Sequence, residues 1–176
     1  MKSQPRPNPP DADLVETPIA LAVAIVDYFH PAGAVCDPAA GLGEAFATAL
    51  RAQPSVRSVD VFELRRGTDF LASHDDRRYD WIVTNPPWSK FRTFLAKGLA
   101  VADRCVYLVT VNHCWTKARV RIWRDAGFGL ATILLVDAPD AFPATGFQLG
   151  AVEWRRGYGG PCAIVEFPND WSSARV

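Results

Sequence analysis

Short apolar runs alternate with amphipathic stretches along most of this chain, and that alternation limits the available folds more than any other feature. The apolar runs cover 34–37, 59–63, 81–84, 106–111 and 132–136. Between them, 44–52 reads as a helix, and so does 115–126, which Gly127 closes. Phe91, Phe94, Leu95 and Leu99 mark one face of another helix. A further helix opens the series. Thr17 before Pro18 fits an N-cap with proline at the first helical position, and Ala22, Ile25, Val26 and Phe29 recur at helical spacing up to His30-Pro31. Strands that alternate with helices predict a parallel sheet covered on both faces. The last quarter breaks the rhythm: runs 148–155 and 162–167, joined by Gly157-Tyr158-Gly159-Gly160, predict a C-terminal antiparallel hairpin.

With 176 residues, 49% of them hydrophobic, the chain suits one compact α/β domain and leaves no length for a second. Pro5, Pro7, Pro9 and Pro10 remove donors and block helix, so 1–13 is expected to be a flexible tail and 14–176 the domain. Nineteen Lys and Arg balance nineteen Asp and Glu, so any contact with a polyanion must come from local patches. Cys36, Cys105, Cys114 and Cys162 form no CxxC pair and read as reduced residues, not a zinc site, and no metal is expected. No run of about 18 apolar residues and no signal-peptide pattern occurs, which predicts no membrane span and a cytoplasmic protein.

Three places carry chemistry. Val35-Cys36-Asp37-Pro38-Ala39-Ala40-Gly41-Leu42-Gly43 puts an acid at a strand end and two glycines in the turn before a helix, where an open α/β sheet binds a nucleotide-like ligand. A dinucleotide enzyme needs a small residue where Phe46 stands, and Asp37 would repel a pyrophosphate, so NAD is disfavoured. Alone, the segment is equally consistent with an ordinary glycine-rich turn. Glu63 follows Gly43 by 20 residues, a spacing from which a carboxylate reaches both hydroxyls of an adenosine ribose. Asp69-Phe70 offers an acceptor and an aromatic contact for an adenine ring, although either acid alone is more often a solvated surface carboxylate.

The sharpest signal is Thr84-Asn85-Pro86-Pro87-Trp88, directly after a buried strand. Here the chain resembles the amino-methyltransferases of the class I S-adenosylmethionine-dependent superfamily, whose motif is Asn or Asp, Pro, Pro and an aromatic residue. The resemblance implies a Rossmann-like domain over 17–167 with S-adenosylmethionine as cofactor. It implies that Thr17 and Pro18 lie near the methionine end of that cofactor, with Asp37, Pro38, Ala39, Gly41 and Gly43 along its methionine and ribose. Glu63 would hold the ribose, and Asp69 with Phe70 the adenine. Asn85, Pro86, Pro87 and Trp88 would form the acceptor site, Asn85 also bordering the cofactor. An exocyclic amine is a poor nucleophile because its lone pair is conjugated into the ring. Two acceptors, the Asn85 side-chain oxygen and the Pro86 carbonyl, would hold its hydrogens, and Trp88 would stack on the base. The order of motifs is similar to the gamma arrangement of N6-adenine DNA methyltransferases, and N4-cytosine relatives usually carry Ser where Asn85 stands. Only 64–68 separates Glu63 from Asp69, where the family usually fits a helix and a strand.

The acceptor expected from this resemblance is adenine N6 in DNA. An RNA base, a protein glutamine amide, or a catalytically silent subunit that binds a partner are the alternatives. No target-recognition domain is visible, so a partner or oligomer is expected to supply recognition. Lys117, Arg121 and Arg124 share one helix face, and with Lys90, Arg92, Arg155 and Arg156 they are candidates for phosphate contacts or simply solvated charges. His113, in the loop Asn112-His113-Cys114 at the same edge, reads as a structural histidine because methyl transfer from a sulfonium needs no strong base.

Overall fold

A computed structural model describes residues 13–74, 76–143 and 145–167. The tail expected over 1–13 lies outside the described residues except for Asp13, as does the chain from 168 onward. Seven strands form one sheet: β1 Gly33–Asp37, β2 Val56–Val61, β3 Tyr79–Thr84, β4 Ala102–Thr110, β5 Phe128–Val136, β6 Leu149–Arg156 and β7 Ala163–Glu166. Their order is β2-β1-β3-β4-β6-β5-β7. All run parallel except β6, which pairs antiparallel with both β4 and β5. This is the expected α/β class, a mostly parallel sheet with an antiparallel element near the C-terminus.

Alternating residues send their side chains to opposite faces, and each face is covered. Val35, Trp81, Val83, Val106 and Leu108 pack with Leu21, Ile25 and Val26 of α1 (Ile19–Phe29) and with Phe46 and Leu50 of α2 (Ala45–Arg51). Cys36, Ile82, Cys105, Tyr107 and Val109 pack with Phe91, Phe94 and Leu95 of α3 (Phe91–Val101), and Ile122 and Trp123 of α4 (Lys117–Asp125) lie against the same layer. The four cysteines are free thiols, and Cys36, Cys105 and Cys114 are buried.

Two details differ from the sequence reading. Runs 148–155 and 162–167 do not pair with each other: β6 enters between β4 and β5, and β7 lies on the far side of β5, parallel to it. The reason is burial. Leu149 to Trp154 are buried without interruption, so β6 needs a neighbour on each side. The glycine-rich segment then carries the chain across the end of β5. Gly157, at φ 68°, donates to the Gly127 carbonyl at 2.8 Å, and a Cβ on Gly129 would stand 2.1 Å from the Tyr158 carbonyl oxygen. At the start of α1, Pro18 occupies the N-cap position instead of Thr17, and no side chain caps the helix. The Pro18 carbonyl already accepts from Ala22 at 3.1 Å, while the fixed proline φ suits the extended entry.

Among the described residues the segment between β2 and β3 holds one 3₁₀ turn, Leu64–Arg66, and β2 is the sheet edge. On the opposite face, α3 approaches β4 closely at Gly98, where an added Cβ would meet the Tyr107 hydroxyl oxygen at 2.0 Å. That hydroxyl is buried and donates to the Phe94 carbonyl at 3.1 Å. Gly98→Ala should therefore destabilise the fold by about 1–3 kcal/mol through overpacking, and adding Tyr107→Phe should recover part of the loss. Urea unfolding of the two variants checks this, and additive losses would count against the contact.

Candidate functional site

Parallel register brings the predicted chemistry to one edge. Asp37 pairs with Val61, and Cys36 pairs with Ile82, so the ends of β1, β2 and β3 lie side by side. The backbone then locks the loops that follow. Phe62 donates to the Asp37 carbonyl at 3.0 Å, and Ala40 to the Phe62 carbonyl at 3.1 Å. Above this edge opens a cleft of about 220 Å³, lined by Pro38, Ala39, Gly41, Glu63, Asp69, Phe70, Asn85 and Pro87. Eight of the predicted site residues thus share one cavity wall. Thr17 and Gly43 border adjoining hollows beside Ala40, and Pro86 and Trp88 a small pocket next to Asn85. Asp37 lies fully buried beneath the loop, and Pro18 lines none of these spaces.

The acids differ sharply in setting. Asp37 accepts from the Ala39 amide at 3.4 Å through Oδ1, while its Oδ2 is buried without a hydrogen-bond partner. Burial raises its pKa to about 7, although the Thr84 hydroxyl and the Ala39 and Ala47 amides act to lower it. Glu63 sits two residues past β2 as the N-cap of the 3₁₀ turn. Its Oε1 accepts from both the amide and the guanidinium of Arg65, each at 2.9 Å. Burial acts to raise the Glu63 pKa, but these Arg65 contacts outweigh it and hold the carboxylate below its ordinary value. Asp69 Oδ1 accepts from the Leu71 amide at 2.8 Å and so closes its own turn, and Phe70 is buried against Phe62 and Phe94.

Sequence reasoning missed a strap that crosses the mouth. Asp13 accepts from the amide and hydroxyl of Ser89, the Val15 carbonyl accepts from Asn85 Nδ2 at 3.2 Å, and Glu16 accepts from Leu42 N at 3.1 Å and from Arg65 at 3.2 Å. Glu16 stands over the glycines: a Cβ on Gly43 would come within 2.8 Å of its carboxylate. The only signal in the sequence was adjacency, since Glu16 precedes Thr17-Pro18 and Arg65 follows Glu63 by two residues; charge alone gives no direction.

Asn85 is held in one orientation. A carbonyl can only accept, so the Val15 bond makes the pointing atom Nδ2 and leaves Oδ1 buried and without a partner. Trp88 is anchored by its indole N–H on the Leu108 carbonyl at 3.2 Å and leans on Phe142, the ring centres 6.0 Å apart. The pocket they share with Pro86 is only about 10 Å³, room for roughly one water. A planar ring enters there only when the strap at 13–15 or the Phe142-Pro143 loop moves.

No protein-family model matches the chain, and a search of curated proteins found no relative. Among solved structures, it is similar to a protein of Listeria monocytogenes assigned as a class I S-adenosylmethionine-dependent methyltransferase, with TM-score 0.68 and 10% identity over 92% of this chain and 69% of that one. A protein of Pyrococcus horikoshii assigned as an RNA methyltransferase superposes with TM-score 0.60 and 15% identity, over 85% of this chain and 90% of the other. The methyltransferase subunit of a type I restriction-modification system from Streptococcus thermophilus gives TM-score 0.63 at 13% identity, covering 88% of this chain and 48% of that one, about half its length. These likenesses establish the Rossmann-like methyltransferase fold.

The buried Asp37 makes stability depend on pH. Its folded pKa of about 7 exceeds the ordinary 3.8, so the folded state keeps a proton that the unfolded chain gives up. Stability should be greatest below about pH 4 from this group, fall by at most about 1.4 kcal/mol per pH unit up to about pH 7, and level off above. Glu63, with its pKa lowered, acts oppositely and only below its ordinary range, so the two separate. Chemical denaturation across this range should show the slope in the natural chain and lose it in Asp37→Asn; an unchanged slope assigns it elsewhere.

Proposed function

We propose that the chain is an S-adenosylmethionine-dependent N-methyltransferase whose acceptor is adenine N6 in DNA, and that 14–176 is its methyltransferase domain. One observation carries the reading: the side-chain oxygen of Asn85, a residue common to the walls of the large cleft and the Trp88 pocket, is buried without a partner. A buried acceptor left without a partner costs about 1–3 kcal/mol, so its retention points to a ligand that donates to it.

The donors around the cleft suit this cofactor. Glu16, Glu63 and Asp69 line or border it, and Asp37 lies beneath. Such a set of acceptors suits a ligand with hydroxyls and an amino group. Glu63 is proposed to hold the ribose hydroxyls, Asp69 with Phe70 the adenine, and Glu16 with Thr17 the methionine end. The chemistry supplied by the bound cofactor is an electrophilic methyl group on a sulfonium. Asn85 Oδ1 and the Pro86 carbonyl accept the two hydrogens of the acceptor amine, which frees its lone pair to point toward the cleft. As that nitrogen gains charge both carbonyls stabilise it, and its surplus proton is lost to water as the product leaves. Trp88, held by Leu108, is a rigid wall for the base to stack on.

The solved structures that resemble the chain include both an RNA methyltransferase and a restriction-modification subunit. DNA is preferred because the order of motifs, Thr17-Pro18 ahead of the cofactor loop and Asn85 after it, is similar to the gamma arrangement of N6-adenine DNA methyltransferases, and a partner subunit is proposed to supply target choice. Among the described residues no helix is long and apolar enough to cross a membrane.

Calorimetric titration with S-adenosylhomocysteine tests the cofactor: Glu63→Ala should weaken binding by roughly 1–3 kcal/mol through loss of charge-assisted hydrogen bonds. Asn85→Ala should leave that affinity nearly intact yet cost about 3–4 kcal/mol in methyl transfer to DNA, read by nucleoside mass spectrometry. Absence of cofactor binding removes the enzyme reading, whereas methylation of RNA or glutamine with every DNA adenine untouched moves the acceptor alone.

A further inference from the structure

Most arginines of this chain are neutralised where they stand. Those beside the cleft pair with Glu16, Glu44 and Glu63, and those at the opposite edge of the sheet with Asp103 and Glu153. Arg155 and Arg156, candidates for phosphate contacts from sequence, belong to this paired set, and Arg156 also donates to the carbonyls of Leu99 and Ala102. Eight cations have no ion pair among the described residues; Arg78 and Lys97 instead donate to backbone carbonyls, and the other six are Lys90, Arg92, Lys117, Arg119, Arg121 and Arg124. These six cluster, because α3 and α4 lie side by side and the first four flank the carboxyl edge of the sheet. The carboxylate on these two helices is Asp125, at the far end of α4.

The cluster is joined to the acceptor pocket by contacts between rings. Trp88 meets His113 edge-on with centroids 6.4 Å apart, His113 lies 5.0 Å from Phe91, and the Arg119 guanidinium sits 5.4 Å from the Phe91 centre. Along this line Asn112 Oδ1, His113 Nδ1, Arg119 Nε and Trp123 Nε1 are all buried without a hydrogen-bond partner. Arg92 adds its repulsion to Arg119, and burial followed by the Arg119 charge pushes the His113 pKa down to about 4, so this histidine is neutral at pH 7. The orphaned donors Arg119 Nε and Trp123 Nε1 and the crowded like charges are what a site keeps when its anionic ligand is absent. Two large aromatic side chains flank it: Trp115 is 53% exposed and Phe147 57% exposed. Both stand at the same edge, since Val111 N bonds to the Gln148 carbonyl at 2.8 Å and so ties the chain after Phe147 to the start of the turn that leads to Trp115.

We propose that this face, from Lys90 and Arg92 across Arg119 to Lys117 and Arg121, holds the phosphodiester backbone of single-stranded DNA and that Trp115 and Phe147 stack bases beside the one presented to Asn85. Unpaired cations and exposed π-faces are the two elements of such a groove. The ring contacts from Arg119 through Phe91 and His113 to Trp88 mark the route by which the strand reaches the Asn85 pocket from the α4 side. The choice of DNA rests on the acceptor proposed above; the phosphodiester chemistry does not.

The test is fluorescence anisotropy of a labelled single-stranded DNA with the full chain and S-adenosylhomocysteine, over a range of salt, with RNA of equal sequence as a second arm. Each phosphate contact on a single strand contributes about 0.7 to the slope of log K against log salt. R92Q/K117Q/R121Q should reduce the slope by about 2 and weaken binding on the order of tenfold or more at about 50 mM salt. K117Q/R121Q, confined to exposed positions of α4, serves with an expected slope loss of about 1.4 if the triple variant does not fold. R57Q, whose partner is Asp80 on the far side of the molecule, should leave the slope unchanged. A triple variant that binds as the natural chain does, or an equal loss in R57Q, overturns the surface, and RNA bound tenfold tighter than DNA overturns the choice of strand. Cofactor titration separates the two proposals: no DNA binding with normal cofactor affinity sinks this inference alone.

Discussion

The parallel pairing of β1 with β2 on one side and β3 on the other is the constraint from which the rest follows. The chain passes from β1 to β2 on one side and then returns past β1 to β3 on the other, and a crevice opens at the carboxyl ends where the order reverses. The register Cys36 to Ile82 then sets Asp37 next to the end of β3, so that the loop after Thr84 faces the loop after Asp37. The apolar side chains on both faces exist to hold this register. Slipping it by one residue would turn Val35 and Trp81 away from α1 and α2 and present Cys36 and Ile82 in their place.

Charge on this molecule is arranged, not averaged. Equal numbers of acids and bases give no net field, yet the acids gather around the cleft while the unpaired cations lie over α3 and α4. Arg65 reconciles the first cluster with itself. One guanidinium serves Glu63 and Glu16 together, which lets two carboxylates stand at the same mouth and ties the strap to the end of β2. Asp37 has no such partner, so the interior answers by favouring the protonated acid.

Economy of chain explains the shape of the site. Among the described residues a 3₁₀ turn and loop join β2 to β3, so the cleft has a wall of Glu63, Leu64, Thr68 and Asp69 where a longer chain would place further secondary structure. That wall is self-supporting: Thr68 accepts from the Glu63 amide at 2.8 Å, Asp69 caps its own turn, and Lys97 of α3 donates to the carbonyls of Phe70 and Leu71. The strap completes the enclosure from the other side.

The sequence by itself determined the class of fold, the edge at which the chemistry gathers and most of the residues that line it. These are local properties: a strand of period two, a helix of period 3.6, an acid at a strand end and a proline pair after another are each written within a few residues. It misplaced β7 because two neighbouring apolar runs with a glycine turn look like a hairpin, and only the need of a fully buried β6 for two partners decides otherwise. It could not show that Glu16 meets Leu42 and Arg65, that Val15 orients Asn85, or that Arg119 stands over Phe91, since each contact joins segments distant in sequence. Nor could it divide paired from unpaired arginines. Whether a charge is neutralised depends on which carboxylate lies within about 4 Å, and that distance is set by tertiary packing, not by spacing along the chain.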